Sequence, residues 1–243
     1  MKTVITGIHL AETLLRCGRT RPEEVSVLRG GSARGLARVV KLAEREGPPV
    51  RWVDASTMQE LTGNPSTEIA LTLAERETLQ LEDALPDDGT SALGLVLEGV
   101  EDPHNVGEIL RTAWAAGVRL AVLEAHAACL ARDVLARSSA GASECLPIVF
   151  TDDLVGSLGT LDALSVETVA AMPDASERLF DAAFSERVVV VVGGEHRGLS
   201  RHVTDACKRH VTIPTTGEVQ SLSATSSAAV ILFELVRRGG RTR

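Results

Sequence analysis

Residues 188–200 read VVVVVGGEHRGLS, and this stretch decides the fold. Five consecutive valines form a run that is apolar throughout, which predicts a strand buried on both faces of a mostly parallel sheet. The strand ends in Gly193 and Gly194, and paired glycines let a ligand approach the backbone closely, although a plain glycine turn is the alternative. The spacing after Gly194 departs from the dinucleotide-binding pattern GxGxxG, and no acidic residue closes a nearby βαβ unit. A nicotinamide-dependent dehydrogenase is therefore disfavoured.

Apolar runs alternate with amphipathic helices on both sides of this strand, which predicts an α/β fold. The predicted strands of the carboxyl-terminal part are residues 93–97, 119–123, 146–150, 164–171, 188–192 and 210–213, and its last helix is 223–238. The amino-terminal part predicts a smaller α/β unit, with helices 8–16 and 34–46, strands 25–28, 50–53 and 69–73, and one more helix before the last of these strands.

The stretch LEDALPDDGTS, residues 81–91, separates the two parts. It is acidic, contains Pro86 and Gly89 and lacks apolar periodicity, as is typical of an interdomain linker. The sequence thus predicts an amino-terminal domain at residues 1–80, a linker at 81–91 and a carboxyl-terminal domain at 92–243.

The composition of the 243 residues, 44% hydrophobic and 24% charged, is that of a globular chain with a substantial core. No apolar run approaches the roughly 20 residues that cross a bilayer, so we expect no membrane partner. The amino terminus lacks the continuous apolar region of a secretion signal, and we expect a cytoplasmic protein.

Cysteine and histidine spacing suggests no metal site. The cysteines lie far apart without a CxxC motif, and the histidines show no metal-ligand spacing. The sequence therefore predicts reduced, partly buried thiols, no disulfide framework and no metal. The cysteines are Cys17, Cys129, Cys145 and Cys207.

Charge is distributed unevenly along the chain, whose net charge is −8. Residues 1–51 carry ten Lys/Arg against five Asp/Glu, whereas residues 52–103 carry one against twelve. Only the first segment looks able to follow phosphates. Aromatic residues make up 2% of the chain, which leaves almost nothing for a base-stacking platform. If the protein holds nucleic acid, it does so through arginines and backbone groups.

Two further segments follow predicted strands, where open α/β sheets bind ligands. In LEGVEDPHNVGEILRTA, residues 97–113, Pro103 and Asn105 can shape a loop and start a helix that carries Arg111. That arginine could grip a phosphate, and a capped helix with a solvated arginine is the alternative. In VTIPTTGEVQSLSATSSA, residues 211–228, Ser221 or Ser223 could cap the last helix, and capping alone is the alternative role. No GxSxG turn accompanies these serines, which disfavours a hydrolase.

Taken together, in this order and at these separations, DPHNVGEILRTAWAAGV, VVGGEHRGLS and VTIPTTGEVQSLSATSSAAVILFE resemble the three signature motifs of the SpoU (TrmH-type) RNA 2'-O-ribose methyltransferases of the SPOUT superfamily. The segment RSSAGASE at residues 137–144 is also typical of them. The resemblance covers nearly all of residues 93–238, and the first 80 residues are similar to the family's amino-terminal RNA-substrate domain. Among family members, the two-domain ribosomal RNA enzymes are the most similar.

The resemblance implies a trefoil-knotted α/β domain that binds S-adenosylmethionine in the knot and pairs as a homodimer, without a metal. The cofactor would contact Gly193 and Gly194, Ile213, and Leu222 with Ser223. Glycines and aliphatic side chains suit this role, because adenine can be held by main-chain groups and apolar contacts.

The resemblance also implies catalytic roles for four residues. The family arginine that matches Arg111 is proposed to work with a phosphate as the base. Because a guanidinium stays protonated, we expect Arg111 to orient the target phosphate and stabilise developing alkoxide charge. Asn105 would position the substrate loop, and Glu195 would hold the motif geometry or orient Arg111. Ser221 would hydrogen-bond near the cofactor and the ribose.

The chain departs from the family pattern at two places. The usual Ser-Leu-Asn of the third motif is Ser221-Leu222-Ser223 here, and a His-Gln-Gly element of the amino-terminal domain is replaced at residues 64–67. The leading hypothesis is a methyltransferase for a guanosine of structured, ribosomal RNA. The departures leave two alternatives open, which are a small-molecule or peptide acceptor and a catalytically silent RNA-binding protein.

Overall fold

The computed structural model describes residues 2–85, 91–195, 197–219 and 221–239. The strands are β1 Thr3–Thr6, β2 Pro22–Leu28, β3 Val50–Val53, β4 Ile69–Leu73, β5 Ala92–Glu98, β6 Leu120–Glu124, β7 Ile148–Thr151, β8 Glu167–Ala171, β9 Glu177–Arg178, β10 Arg187–Gly193 and β11 Arg209–Thr212. The helices are α1 Ile8–Cys17, α2 Leu36–Glu46, α3 Ala55–Thr62, α4 Leu81–Ala84, α5 Pro103–Ala115, α6 Arg132–Ser138, α7 Ala142–Cys145, α8 Leu154–Ala163, α9 Arg201–Ala206 and α10 Ala224–Arg238, and a 3-10 helix spans Ala125–Cys129.

The chain divides into two compact units. The first contains Met1–Glu77 together with Ala131–Cys145, and the second contains Thr78–Leu130 and Leu146–Arg243. Residues 131–145 thus pack with the amino-terminal residues, although they follow β6 in the chain. No helix within the described ranges combines the length and the apolar character needed to cross a bilayer.

The first unit is built on a four-stranded sheet in the order β1-β4-β2-β3. β4 is antiparallel to both its neighbours, and β2 and β3 are parallel. The apolar stripes of α1 and α2 close the main core, where Leu14 and Val39 are fully buried against Val27 and Leu71. A smaller core forms around Met58 of α3.

Residues 131–145 are held in the first unit by charge as well as by apolar packing. Ala136 is part of the main core, and the fully buried side chain of Glu144 accepts hydrogen bonds from Arg76 and Arg132, each at 2.7 Å. Thr20 donates to the same carboxylate at 3.2 Å. Burial by itself would raise the pKa of Glu144, but the hydrogen bond from Arg132 and the charges of Arg76 and Arg132 outweigh it and lower that pKa. Glu144 is therefore a buried carboxylate that stays ionised.

The prediction of reduced thiols is wrong for two of the four cysteines. Cys17 at the end of α1 and Cys145 at the end of α7 form a disulfide, with their Cα atoms 5.8 Å apart. They are separated by 128 positions in the sequence, so no local spacing indicated the pair. Cys129 and Cys207 are free.

The second unit contains a seven-stranded sheet in the order β7-β6-β5-β10-β8-β11-β9. Within the described part of the chain, neighbouring strands of this sheet are parallel at every pairing. Val188 to Val191 of β10 are buried between β5 and β8, which confirms the strand predicted from the valine run and the α/β class. The trefoil knot stays a prediction.

The main differences from the sequence expectation concern the start of one strand, two short strands and the linker. The predicted strand 164–171 begins only at Glu167, because Leu164 ends α8 and Ser165 has a positive φ of 58°. Strands β1 and β9 were not predicted, since both are short. In the predicted linker, α4 packs Leu81 into the core of the second unit, and residues 86–90 lie outside the described residues.

Candidate functional site

A cavity of about 500 Å³ opens in the second unit at the carboxyl ends of three neighbouring strands, β8, β10 and β11. The residues that follow these strands and the first turn of α10 form its walls. Its position is the one at which open parallel sheets bind ligands, and its size suits a small-molecule cofactor. Among the predicted site residues, those that line it are Gly193, Gly194, Glu195, Ile213, Ser221 and Leu222.

The paired glycines are required by close packing of the chain against itself. A Cβ atom on Gly193 would lie 2.3 Å from the carbonyl carbon of Gly198, and one on Gly194 would lie 2.0 Å from the carbonyl oxygen of Gly99. No side chain fits at either distance. The glycines therefore let the loop after β10 fold tightly over the end of β5, so the cavity wall there is main chain.

In the segment before α10, Ser221 and Ser223 have different positions. The sequence had left open which of them caps the helix. Ser221 lines the cavity. Ser223 is the N-cap of α10, and its Oγ accepts a hydrogen bond from the backbone N–H of Ser226 at 3.2 Å. Ser223 does not line the cavity, and its contact with a cofactor stays a prediction. Gln220 and His196, which belong to the quoted motifs, lie outside the described residues.

The first motif forms the start of α5. Asp102 is the N-cap and accepts from the N–H of His104 at 2.9 Å, while Pro103 occupies the first turn. The sequence reasoning overlooked Asp102, although an Asp before a Pro is a recognisable helix start. Asn105 is half-buried, Arg111 is exposed, and neither lines the cavity of its own chain. Their catalytic roles stay predictions.

Several residues around the cavity were not predicted. Met172 and Pro173 follow β8, Thr215 follows β11, and Arg197 adds a positive charge beside Glu195. Arg197 stands in the motif GEHRG, but the sequence alone does not indicate that this side chain faces a cavity. Apolar Met172 and cationic Arg197 give the cavity walls of mixed character.

The cysteine near the site is unreactive. Burial raises the pKa of the Cys207 thiol to about 12, and the negative charge of Glu98 contributes to the shift. A neutral thiol is a poor nucleophile. Across the described ranges, no group of three or more His, Cys, Asp or Glu side chains is placed to share a metal ion.

Known proteins resemble the chain over its whole length. The guanosine-2'-O-methyltransferase RlmB of Yersinia pestis, named for 23S rRNA, is 29% identical over 99% of both chains. A solved structure described as an RNA 2'-O ribose methyltransferase is 27% identical, with a TM-score of 0.77 over 98% of this chain and 88% of the other.

The fold is shared with a further solved structure. The SpoU methyltransferase AviRb of Streptomyces viridochromogenes, in complex with AdoMet, has a TM-score of 0.81 at 21% identity, over 99% of this chain and 92% of its own. The model of the SpoU rRNA Methylase family matches residues 92–233, which contain the seven-stranded sheet and the whole cavity. The chain belongs to the SpoU rRNA Methylase family.

Proposed function

We propose that the protein methylates the ribose 2'-oxygen of a guanosine in 23S ribosomal RNA, in the cytoplasm, with S-adenosylmethionine as the donor. The observation that carries this proposal is the cavity, because the loops of the second and third motifs form it together. The relatives named for this reaction match 98% or 99% of the chain.

The residues around the cavity fit S-adenosylmethionine. The volume of about 500 Å³ suits a nucleoside with an amino-acid tail, and the main-chain wall at Gly193 and Gly194 offers donors and acceptors to its polar edges. Ile213 and Leu222 supply aliphatic contacts for a base. When bound, the cofactor supplies a methyl group on a positively charged sulfur.

The polar side chains then act on the acceptor. Ser221 donates a hydrogen bond near the cofactor and the ribose, and Glu195 carries a carboxylate at the cavity rim that can hold an incoming cationic side chain. Arg111 holds the target phosphate and stabilises negative charge as the 2'-hydroxyl gives its proton to water. The ribose oxygen then bonds to the methyl group as the bond between that group and the donor sulfur breaks. Asn105 positions the RNA loop. The amino-terminal domain, residues 1–80, binds RNA through its first 51 residues, which carry ten Lys/Arg against five Asp/Glu.

A homodimer would explain how Arg111 can act at a cavity that it does not line in its own chain. This side chain is exposed on α5 and does not line the cavity of its own chain. Helices α5 and α10 pack together, and Trp114 and Phe233 on them are 40% and 48% exposed, which is typical of an apolar surface that a partner covers. We propose that a second copy covers it and brings Arg111 to the neighbouring cavity.

Mixed dimers test this arrangement. Arg111→Ala should abolish methyl transfer while calorimetry still detects cofactor binding. Gly194→Ala should abolish transfer at donor concentrations well below its weakened Kd, because the added methyl group displaces the cavity wall. If the sites are shared, co-refolding the two inactive variants restores about a quarter of wild-type activity, because half of the dimers then contain one intact site. No recovery in dimers of confirmed mixed composition would show that Arg111 does not act at the cavity of the second copy.

The acceptor is tested separately. Labelled S-adenosylmethionine and total RNA should give methylation of a single guanosine ribose in 23S RNA, located by mapping. No incorporation beside an active control enzyme would overturn the proposed function.

A further inference from the structure

Glu98 holds both ends of the loop that forms one wall of the cavity. It is the last residue of β5 and pairs with Gly193 of β10. Its backbone carbonyl accepts from the N–H of Gly194 at 2.7 Å, and its carboxylate Oε2 accepts from the N–H of Ser200 at 2.8 Å. One residue of the central strand thus fixes the first and the last positions of residues 194–200.

The Ser200 N–H needs an acceptor from outside its helix. Ser200 is the N-cap of α9, and its Oγ accepts from the N–H of Val203 at 3.3 Å. In a capping box, a Glu or Gln at this third helical position returns the bond to the N-cap N–H. Valine cannot do so, and Glu98, 102 positions earlier in the sequence, supplies the missing acceptor.

Other contacts also involve described residues of the loop, and among them Leu199 packs against the core of the second unit. The loop's internal backbone bond joins the N–H of Gly198 to the carbonyl of Gly194 at 3.0 Å, and the side chains of Glu195 and Arg197 are exposed. Because Gly194 lies against Gly99, a small displacement of the loop would change the cavity.

A second carboxylate supports the same contact from the next strand. Oε2 of Glu124, at the end of β6, accepts from the N–H of Gly99 at 2.6 Å. Since the carbonyl of Gly99 is the group that meets Gly194, Glu124 holds the surface on which the loop rests.

We propose that Glu98 is a positioning residue for cofactor binding. It does not line the cavity and acts by fastening Gly194 and Ser200, the two ends of the loop that forms the cavity wall. This inference rests on the proposed function, because it takes S-adenosylmethionine as the occupant of the cavity.

The test compares Glu98→Ala with Glu98→Gln. Glu98→Ala should raise the KM for S-adenosylmethionine and its calorimetric Kd about tenfold, with kcat changed less than about twofold, because a charge-assisted hydrogen bond is lost away from the reacting atoms. Glu98→Gln keeps an acceptor oxygen and should restore most of the affinity. A Glu98→Ala enzyme with wild-type KM and Kd would overturn the inference.

Glu167→Ala is the matched control. Glu167 also accepts a backbone N–H, from Ser185 at 2.7 Å, and it pairs with Arg209 as well. It begins β8 and so lies at the amino ends of the strands, away from the cavity. Its loss should leave the KM unchanged, and an equal rise in KM would show general destabilisation and overturn the inference.

Two further outcomes keep the test decisive. Should Glu98→Ala fail to fold, Glu124→Ala should still raise the KM about threefold, and an unchanged value would count against the inference. Wild-type protein that binds no S-adenosylmethionine would overturn the proposed function itself, whereas wild-type binding with unaffected variants removes only the role of Glu98.

Discussion

The segment 131–145 and the loop 194–200 each connect larger parts of the chain, but different interactions hold them in place. The first is fixed by side chains, through the buried carboxylate of Glu144 between two arginines and through the Cys17–Cys145 disulfide. The second is fixed by main-chain packing, where Gly194 lies against Gly99 and no Cβ fits, and by carboxylates that accept backbone N–H groups. The protein thus uses charge and a covalent bond for a structural segment, and leaves a bare backbone where a ligand must approach.

Glu144→Ala should destabilise the segment 131–145 and have the largest effect on the free energy of unfolding. Removing the buried carboxylate takes away the charge that both Arg76 and Arg132 contact, so we expect the free energy of unfolding to fall by about 3 to 5 kcal/mol. Denaturant unfolding under oxidising conditions measures this loss. Asp133→Ala is the control, because its exposed pair with Arg137 in the same segment should contribute less than about 0.5 kcal/mol. Equal losses in both variants would show that the buried carboxylate of Glu144 does not hold this segment.

Gly194→Ala should break the second region with little effect on the first. The added methyl group would lie 2.0 Å from the Gly99 carbonyl oxygen, so the loop must move away from its place in the cavity wall. We expect S-adenosylmethionine affinity to fall about 100-fold, which is roughly 2.8 kcal/mol. Calorimetry measures this affinity.

The control for that substitution is Gly159→Ala. A Cβ at Gly159 of α8 meets no atom within 4 Å, so affinity should stay unchanged and stability should rise slightly. A Gly194→Ala protein that binds the cofactor normally would show that the glycine packing does not shape the cavity.

Ser223→Ala tests a residue next to the cavity wall, and we expect it to have the smallest effect of the three substitutions. Loss of the N-cap of α10 should lower the free energy of unfolding by about 1 kcal/mol. Ser223→Asn should restore stability, since asparagine is an equally good cap. Chemical denaturation measures the cap, and a calorimetric titration of the same variants determines whether Ser223 also contacts the cofactor. Unchanged stability in Ser223→Ala would exclude the capping role.

Much of the second unit was predictable from local patterns. The valine run predicted a strand at residues 188–192 and the structure has Arg187–Gly193, because a buried strand needs apolar side chains on both faces. Six of the nine proposed site residues line one cavity, since motifs that follow parallel strands meet at one edge of the sheet. Arg111 and Asn105 were predicted from the same set of motifs, but within a single chain neither residue lines the cavity.

Local sequence patterns predicted most of the helices and strands, the glycine turns and the motifs that assign the family, but they missed β1, β9 and α4. Helices, strands and turns depend on residues two to four positions apart, so the order of residues along the chain indicates them. Only the tertiary structure decided that Cys17 meets Cys145, that Glu144 meets Arg76, and that Glu98 supplies the acceptor for Ser200. Those partners are 68 to 128 positions apart, and the path of the chain around its cores brings them together.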